Sequence, residues 1–129
     1  MIGNILVHCG NGLFTGFDLS FDFRDAIGST TVSMVNGMTP RYCAPEVASI
    51  KPRNTSSDVW VLGVVFLEMI TVLKGKSSKY IDEFFKVHGS QHAYIRTNPV
   101  AFAKLVEQLQ GMGNLRDNVA LTWIQLMLQ

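Results

Sequence analysis

Cysteine is scarce in this chain. Cys9 and Cys43 are the two present in 129 residues. They could form at most one bridge, which excludes the disulfide framework of a small secreted domain and makes a reduced interior the default. An excess of either charge is also missing. Eleven Lys and Arg against ten Asp and Glu leave a net charge of +1. That gives no electrostatic reason to expect nucleic acid or an anionic membrane as partner. The opening MIGNILVHCG has no basic residue ahead of its apolar part, so it does not read as a signal peptide. No internal repeat or low-complexity tract is visible. Charged residues make up only 16% and hydrophobic residues 47%. Wholesale disorder is excluded, and the length suits a single domain, 1–129, with a sizeable core.

The most informative stretch runs from Ser57 to Leu73, SDVWVLGVVFLEMITVL. Ser57 and Asp58 are residue types that cap a first helical turn, and Lys74 and Gly75 suit its end. Between them Val59 to Leu67 is apolar, and Glu68 is the only charge before Lys74. A surface helix shows one apolar stripe. This one is apolar nearly all round and predicts burial on every side. A bilayer span needs about 20 apolar residues; this run is shorter and carries Asp58 and Glu68.

Before it, Asn4 to Val7 and Leu13 to Thr15 are short apolar runs. The link Cys9-Gly10-Asn11-Gly12 contains Asn-Gly, a hairpin signal. Arg24 to Asn36 has no clear period and reads as a loop exposing Ser29, Thr30, Thr31 and Ser33. Pro45 suits the first turn of a short helix through Ala48. Three helices are expected later: Lys79 to His88, one opened by Asn98 and Pro99 and stopped by Gly111, and one from about Asp117 to Leu128. The fold class is therefore mainly α with a small β-hairpin at the N-terminus. The last helix ends in mid-pattern at the terminus, which reads as a piece of something longer. His8 beside Cys9 offers two metal-type ligands, and two do not make a zinc site. Cys43 reads as a buried small apolar residue.

Thr39-Pro40-Arg41-Tyr42-Cys43-Ala44-Pro45-Glu46, followed by Asp58-Val59-Trp60 and Gly63, resembles the protein kinase family. The family reads T-P-x-Y-x-A-P-E and then D-V-W-S-L-G; here the two read TPRYCAPE and DVWVLG. Asn4 to Val7 is similar to the end of the catalytic loop, and Gly16-Phe17-Asp18-Leu19-Ser20 stands in the place of D-F-G-L-S. The likeness is nearest to the serine/threonine type, with a loose similarity to a fungal branch. It implies an incomplete kinase C-terminal lobe: the end of the catalytic loop, the activation segment and the lobe's helices.

The resemblance further implies ATP and magnesium as cofactors and phosphoryl transfer to a protein hydroxyl. Asn4 matches the magnesium-binding asparagine. Gly16 stands where the magnesium-binding aspartate belongs and has no side chain to hold a cation. Asp18 stands where the family has glycine. Residues two apart in an extended segment lie about 7 Å apart, while magnesium needs oxygens at about 2.1 Å, so Asp18 reads as a turn residue rather than a ligand. Thr39, Pro40, Arg41 and Tyr42 match the substrate-facing loop. Ala44, Pro45, Glu46, Asp58, Trp60 and Gly63 match structural positions, with Asp58 capping the central helix and Glu46 left a poorly paired carboxylate. Ser29, Thr30, Thr31 and Ser33 lie where the family carries its activation-loop phosphosite.

The family's catalytic base, its glycine-rich loop and its strand lysine have no counterpart in these residues. The expectation is a kinase-like chain, inactive by itself, with a protein substrate or protein partner, no nucleic acid and no membrane. It would be cytoplasmic, with the nucleus open. The alternatives are a non-catalytic, pseudokinase-type interaction module and a truncated gene model of an active kinase. A marginal fold or a tendency to associate is expected with either.

Overall fold

The computed structural model describes residues 5–15, 39–51 and 54–129. Among them a β-hairpin is followed by five α-helices, so the chain is mainly helical with one two-stranded antiparallel sheet. Strands β1 (Ile5–His8) and β2 (Asn11–Phe14) pair with Ile5 opposite Phe14 and His8 opposite Asn11. The turn is Cys9-Gly10, not the Asn-Gly step expected from the sequence. Both residues have positive φ, +49° and +77°, as a two-residue turn matching strand twist requires. Asn11 instead opens β2 and donates its side-chain amide to the Cys9 carbonyl at 3.4 Å. Ile5 packs against the core, while Leu6, Val7, Leu13 and Phe14 remain exposed.

Helix α1 (Pro45–Ala48) is short, with Pro45 in its first turn, where the missing N–H costs nothing. Helix α2 (Thr55–Leu73) is the central one, and it begins two residues earlier than expected. Its cap is Asn54. The Asn54 side chain accepts from the Ser57 N–H at 3.1 Å, and Ser57 Oγ receives the Asn54 N–H at 3.4 Å. This reciprocal pair satisfies two donors that the helix cannot. Asp58, read as a cap from its residue type and from the resemblance alike, sits inside the first turn and is exposed. There its charge faces the positive end of the helix dipole without capping it. At the other end Gly75 takes φ +83°, the left-handed stop that its sequence position predicts.

Helix α2 is not buried on every side. Trp60, Val61, Val64, Val65, Leu67 and Ile70 lie in the core, while Val59, Phe66, Met69, Val72 and Leu73 are exposed. Helix α3 (Tyr80–His88), α4 (Pro99–Gln110) and α5 (Asn118–Met127) supply the rest of the core. They bury Ile81, Phe84, Phe85, Leu105, Val106, Leu109, Leu121 and Ile124. These elements cover one side of α2 only, which leaves the other as an apolar stripe. By length and composition α2 could cross a bilayer, but half of that window is buried inside the protein.

Helix α5 runs antiparallel along α2. Lys74 Nζ donates to Asn118 Oδ1 at one end, and Gly63 meets Met127 and Leu128 at the other. A Cβ at Gly63 would lie 2.9 Å from Met127 Cβ, so glycine sets the closeness of this crossing. Lys74 is buried, and its ammonium also donates to the Met112 carbonyl at 2.9 Å and the Asn114 carbonyl at 3.2 Å. Asn98 precedes α4 as expected, but its side chain caps no helix. It gathers the preceding loop instead, accepting from the Ser90 N–H and donating to the His92 and Tyr94 carbonyls.

Candidate functional site

The segment Thr39 to Glu46 lies against α2, and its side chains build a polar cluster there. Pro40–Tyr42 forms one 3-10 turn, with Tyr42 N–H bonded to the Thr39 carbonyl at 3.0 Å. The proline opening fixes φ for the turn, which sends Arg41 and Tyr42 toward α2. Arg41 Nε donates to Glu68 Oε1 at 2.7 Å, and Arg41 Nη1 donates to Asp82 of α3. The Tyr42 hydroxyl donates to Glu68 Oε2 at 3.0 Å. One guanidinium and one phenol thereby tie the segment to two helices. Glu68, the one charge of α2 beyond its first turn, needs such partners to be tolerated there.

This cluster forms one end of a cleft of about 770 Å³. Ile5 and Val7 of the hairpin wall one side, Met69, Val72 and Leu73 of α2 form the floor, and Lys79 and Asp82 stand at the α3 edge. The volume is that of a small-molecule site. Burial works to lower the Arg41 pKa, but Asp82 and Glu68 outweigh it and the guanidinium is held above its ordinary value. Burial, followed by the Glu68 charge, pushes the Tyr42 hydroxyl up to about 12.

The Tyr42 shift has a sign that can be measured. An acid whose folded pKa is raised from 10.0 to about 12 stabilises the fold fully below pH 10, and this share is lost as pH rises toward 12. Burial moves Tyr80 the same way. Urea midpoints taken upward from about pH 9 are expected to fall between pH 10 and 12. Tyr42→Phe should show a shallower fall, and an unchanged slope in that variant would refute the assignment.

The other residues singled out by sequence are dispersed. Ala44 is buried and Pro45 exposed; Trp60 and Gly63 are buried in α2. Glu46 is not poorly paired: Ser57 Oγ donates to Glu46 Oε1 at 2.6 Å, which links α1 to the start of α2. Cys43 is buried, as its apolar reading requires. Asn4, Gly16, Asp18, Ser29, Thr30, Thr31 and Ser33 lie outside the described residues.

The described donors do not fit a magnesium–nucleotide. Glu68 and Asp82, the carboxylates of the cleft, are both engaged by Arg41. Among the described residues no three His, Cys, Asp or Glu side chains come together. Sequence reasoning missed the Arg41–Glu68–Asp82 network, whose members are 27 and 41 residues apart. It also missed Arg96, whose Nη1 donates to the Pro40 carbonyl and, at 3.4 Å, to the Cys43 carbonyl. The signal for the first was Glu68 itself, a single carboxylate inside an apolar run.

Comparison with known proteins gives one partial likeness. The chain is 36% identical over 52 residues to the cAMP-dependent protein kinase catalytic subunit of Schizosaccharomyces pombe. The match covers 40% of this chain and spans a tenth of that protein's length. No family model matches the chain, and no solved structure matches it. The partial likeness supports relatedness to protein kinases, at the level of a kinase-like segment.

Proposed function

We propose that residues 1–129 are part of a serine/threonine protein kinase-like C-terminal lobe that is catalytically inactive by itself. The observation that carries this reading is the Tyr42–Glu68 tie. The stretch reading TPRYCAPE is fastened to the helix reading DVWVLG, so two motifs separated in sequence act as one structural unit. The partial likeness to a kinase catalytic subunit supports it independently. In this reading the turn Thr39, Pro40, Arg41 and Tyr42 lies on the side of a protein substrate, with Thr39 and Pro40 exposed and Arg41 and Tyr42 bracing it against Glu68, and Ala44, Pro45, Glu46, Trp60 and Gly63 hold the loop and helix together. ATP and magnesium belong to the family activity. Asn4 alone matches one of its metal ligands, and Gly16 removes another. A cytoplasmic location goes with this reading.

The test is transfer of radioactive phosphate from ATP to a generic protein substrate. The purified chain is expected to give none above a Gly16→Ala control. Clear transfer, with contaminating kinase excluded, would overturn the inactive part of the proposal.

A second reading, a non-catalytic interaction module, is favoured by the exposed stripe Val59, Phe66, Met69 and Leu73 on α2. Apolar surface of that kind marks a contact site more often than a free face. A specific stoichiometric partner in a pull-down would favour the module; chaperones alone would not.

A further inference from the structure

The loop between α3 and α4 reaches back to the Thr39–Glu46 segment through one side chain. Tyr94 and Arg96 stand two apart, and the Arg96 guanidinium lies over the Tyr94 ring, 4.6 Å from its centroid. His92, two residues earlier, stacks on the same ring at 5.1 Å with the planes 11° apart. His92 and Tyr94 precede the 3-10 turn Ile95–Thr97 and Arg96 lies within it, and the two ring contacts join the three side chains in one stack, a ladder. Buried Asn98 holds the loop's backbone by bonding the His92 and Tyr94 carbonyls. The ladder is therefore built before it reaches its target. Its guanidinium ends on the carbonyls of Pro40 and Cys43, which bracket the 3-10 turn Pro40–Tyr42.

We infer that Arg96, held flat by Tyr94, is a positioning residue that latches the Pro40–Cys43 turn and so sets the direction in which Arg41 and Tyr42 leave it. The chemistry favours arginine. A planar guanidinium can stack on a ring and still donate to two carbonyls; an ammonium cannot do both. The Pro40 carbonyl already accepts the Cys43 N–H at 3.4 Å, and a carbonyl oxygen has a second lone pair, so the guanidinium adds a second donor where the turn closes. That the latched turn faces a protein substrate rests on the kinase-like reading; the latch itself does not.

Cys43 provides the measurement. It is buried and follows the turn, while Cys9 is exposed and reports the unhindered labelling rate within the same molecule. Labelling with N-ethylmaleimide under native conditions should modify Cys9 quickly and Cys43 slowly. In Arg96→Gln the Cys43 rate is expected to rise about tenfold, the scale of one charge-assisted hydrogen bond. Arg96→Lys and Tyr94→Ala should behave alike, and Tyr94→Phe, which keeps the ring, should match the parent. Leu109→Ala, which loosens the core away from the latch, corrects for global unfolding. Equal acceleration by Arg96→Gln and Leu109→Ala at equal loss of melting temperature would overturn the latch, as would a parent-like rate in Arg96→Gln. Neither result depends on whether the chain transfers phosphate, so failure here and failure of the kinase-like reading are separate outcomes.

Discussion

Phe85→Ala is expected to remove about 3–5 kcal/mol of the stability of this fold. Phe85 is fully buried, with none of its surface reaching solvent. It lies on the face of α3 that packs toward α4 and makes an edge-on contact with Phe84, ring centroids 6.5 Å apart. Replacing a buried phenylalanine with alanine costs about 3–5 kcal/mol, from lost transfer energy and from the cavity left behind. Domains of this size hold only about 5–15 kcal/mol in total. The short helix α3, nine residues long, has little intrinsic tendency to persist once its packing is loosened. Urea unfolding followed by circular dichroism should show the midpoint falling by about a third or more. Val87, two residues on, is 77% exposed and gives the control: Val87→Ala should shift stability by no more than about 0.5 kcal/mol. A Phe85→Ala cost near that of Val87→Ala would mean that α3 does not pack on the core.

The contrast between Phe85 and Val87 was legible in the sequence, because α3 is amphipathic. Tyr80, Ile81, Phe84, Phe85 and His88 fall on one side of a helix turning once per 3.6 residues, and the structure buries the middle three. Helices α4 and α5 were legible for the same reason, with Pro99 and Gly111 bounding the first. Periodicity reports what faces a core, and each of these helices has one core-facing side.

Helix α2 defeated that reasoning in a specific way. A run that is apolar all round carries no information about which side is covered. The sequence pointed to complete burial, and the described structure covers only the side bearing Trp60, Val64, Leu67 and Ile70. The cap was misplaced because Asn54, Ser57 and Asp58 are all capping types, and only the dihedral angles select among them. Asn54 is extended, with φ −137° and ψ −179°, while Ser57 and Asp58 are already helical. The hairpin turn failed likewise: Cys-Gly and Asn-Gly compete over four residues, and the strand register decides.

The site was less legible than the fold. Arg41, Glu68 and Asp82 come from three elements, and nothing local relates them. Motif matching found Arg41 and Tyr42 as loop residues but had no means of naming what they hold. The same is true of Arg96, whose acceptors are backbone carbonyls and so leave no mark in side-chain identity at the other end of the contact.

Arg41→Met is the second substitution expected to cost heavily, and it tests the cluster that the functional reading depends on. The Arg41 and Glu68 side chains are only 21% and 14% exposed. Removing the guanidinium leaves Glu68 with the Tyr42 hydroxyl as its donor in the cluster, in surroundings that solvate it poorly. Breaking a fully buried pair costs about 3–5 kcal/mol, and partial exposure here lowers the expected figure to about 2–3 kcal/mol, near that of a charge-assisted hydrogen bond. Methionine keeps the length and the apolar stem, so packing changes little. Removing both charges should do less harm than removing one. In Arg41→Met/Glu68→Leu no carboxylate is stranded, and an apolar pair of similar volume can replace a buried ion pair at little net cost. A double-mutant cycle should therefore give a coupling of at least about 1 kcal/mol between the two positions. The variant also probes the turn. If Arg41 and Glu68 together anchor Pro40–Tyr42, Cys43 labelling should accelerate in Arg41→Met and stay fast in the double variant, which lacks both the Arg41 and the Tyr42 tie to position 68. Additive costs, with no coupling, would show that the arginine and the carboxylate do not depend on each other, and the fastening of TPRYCAPE to α2 would then rest on Tyr42 alone.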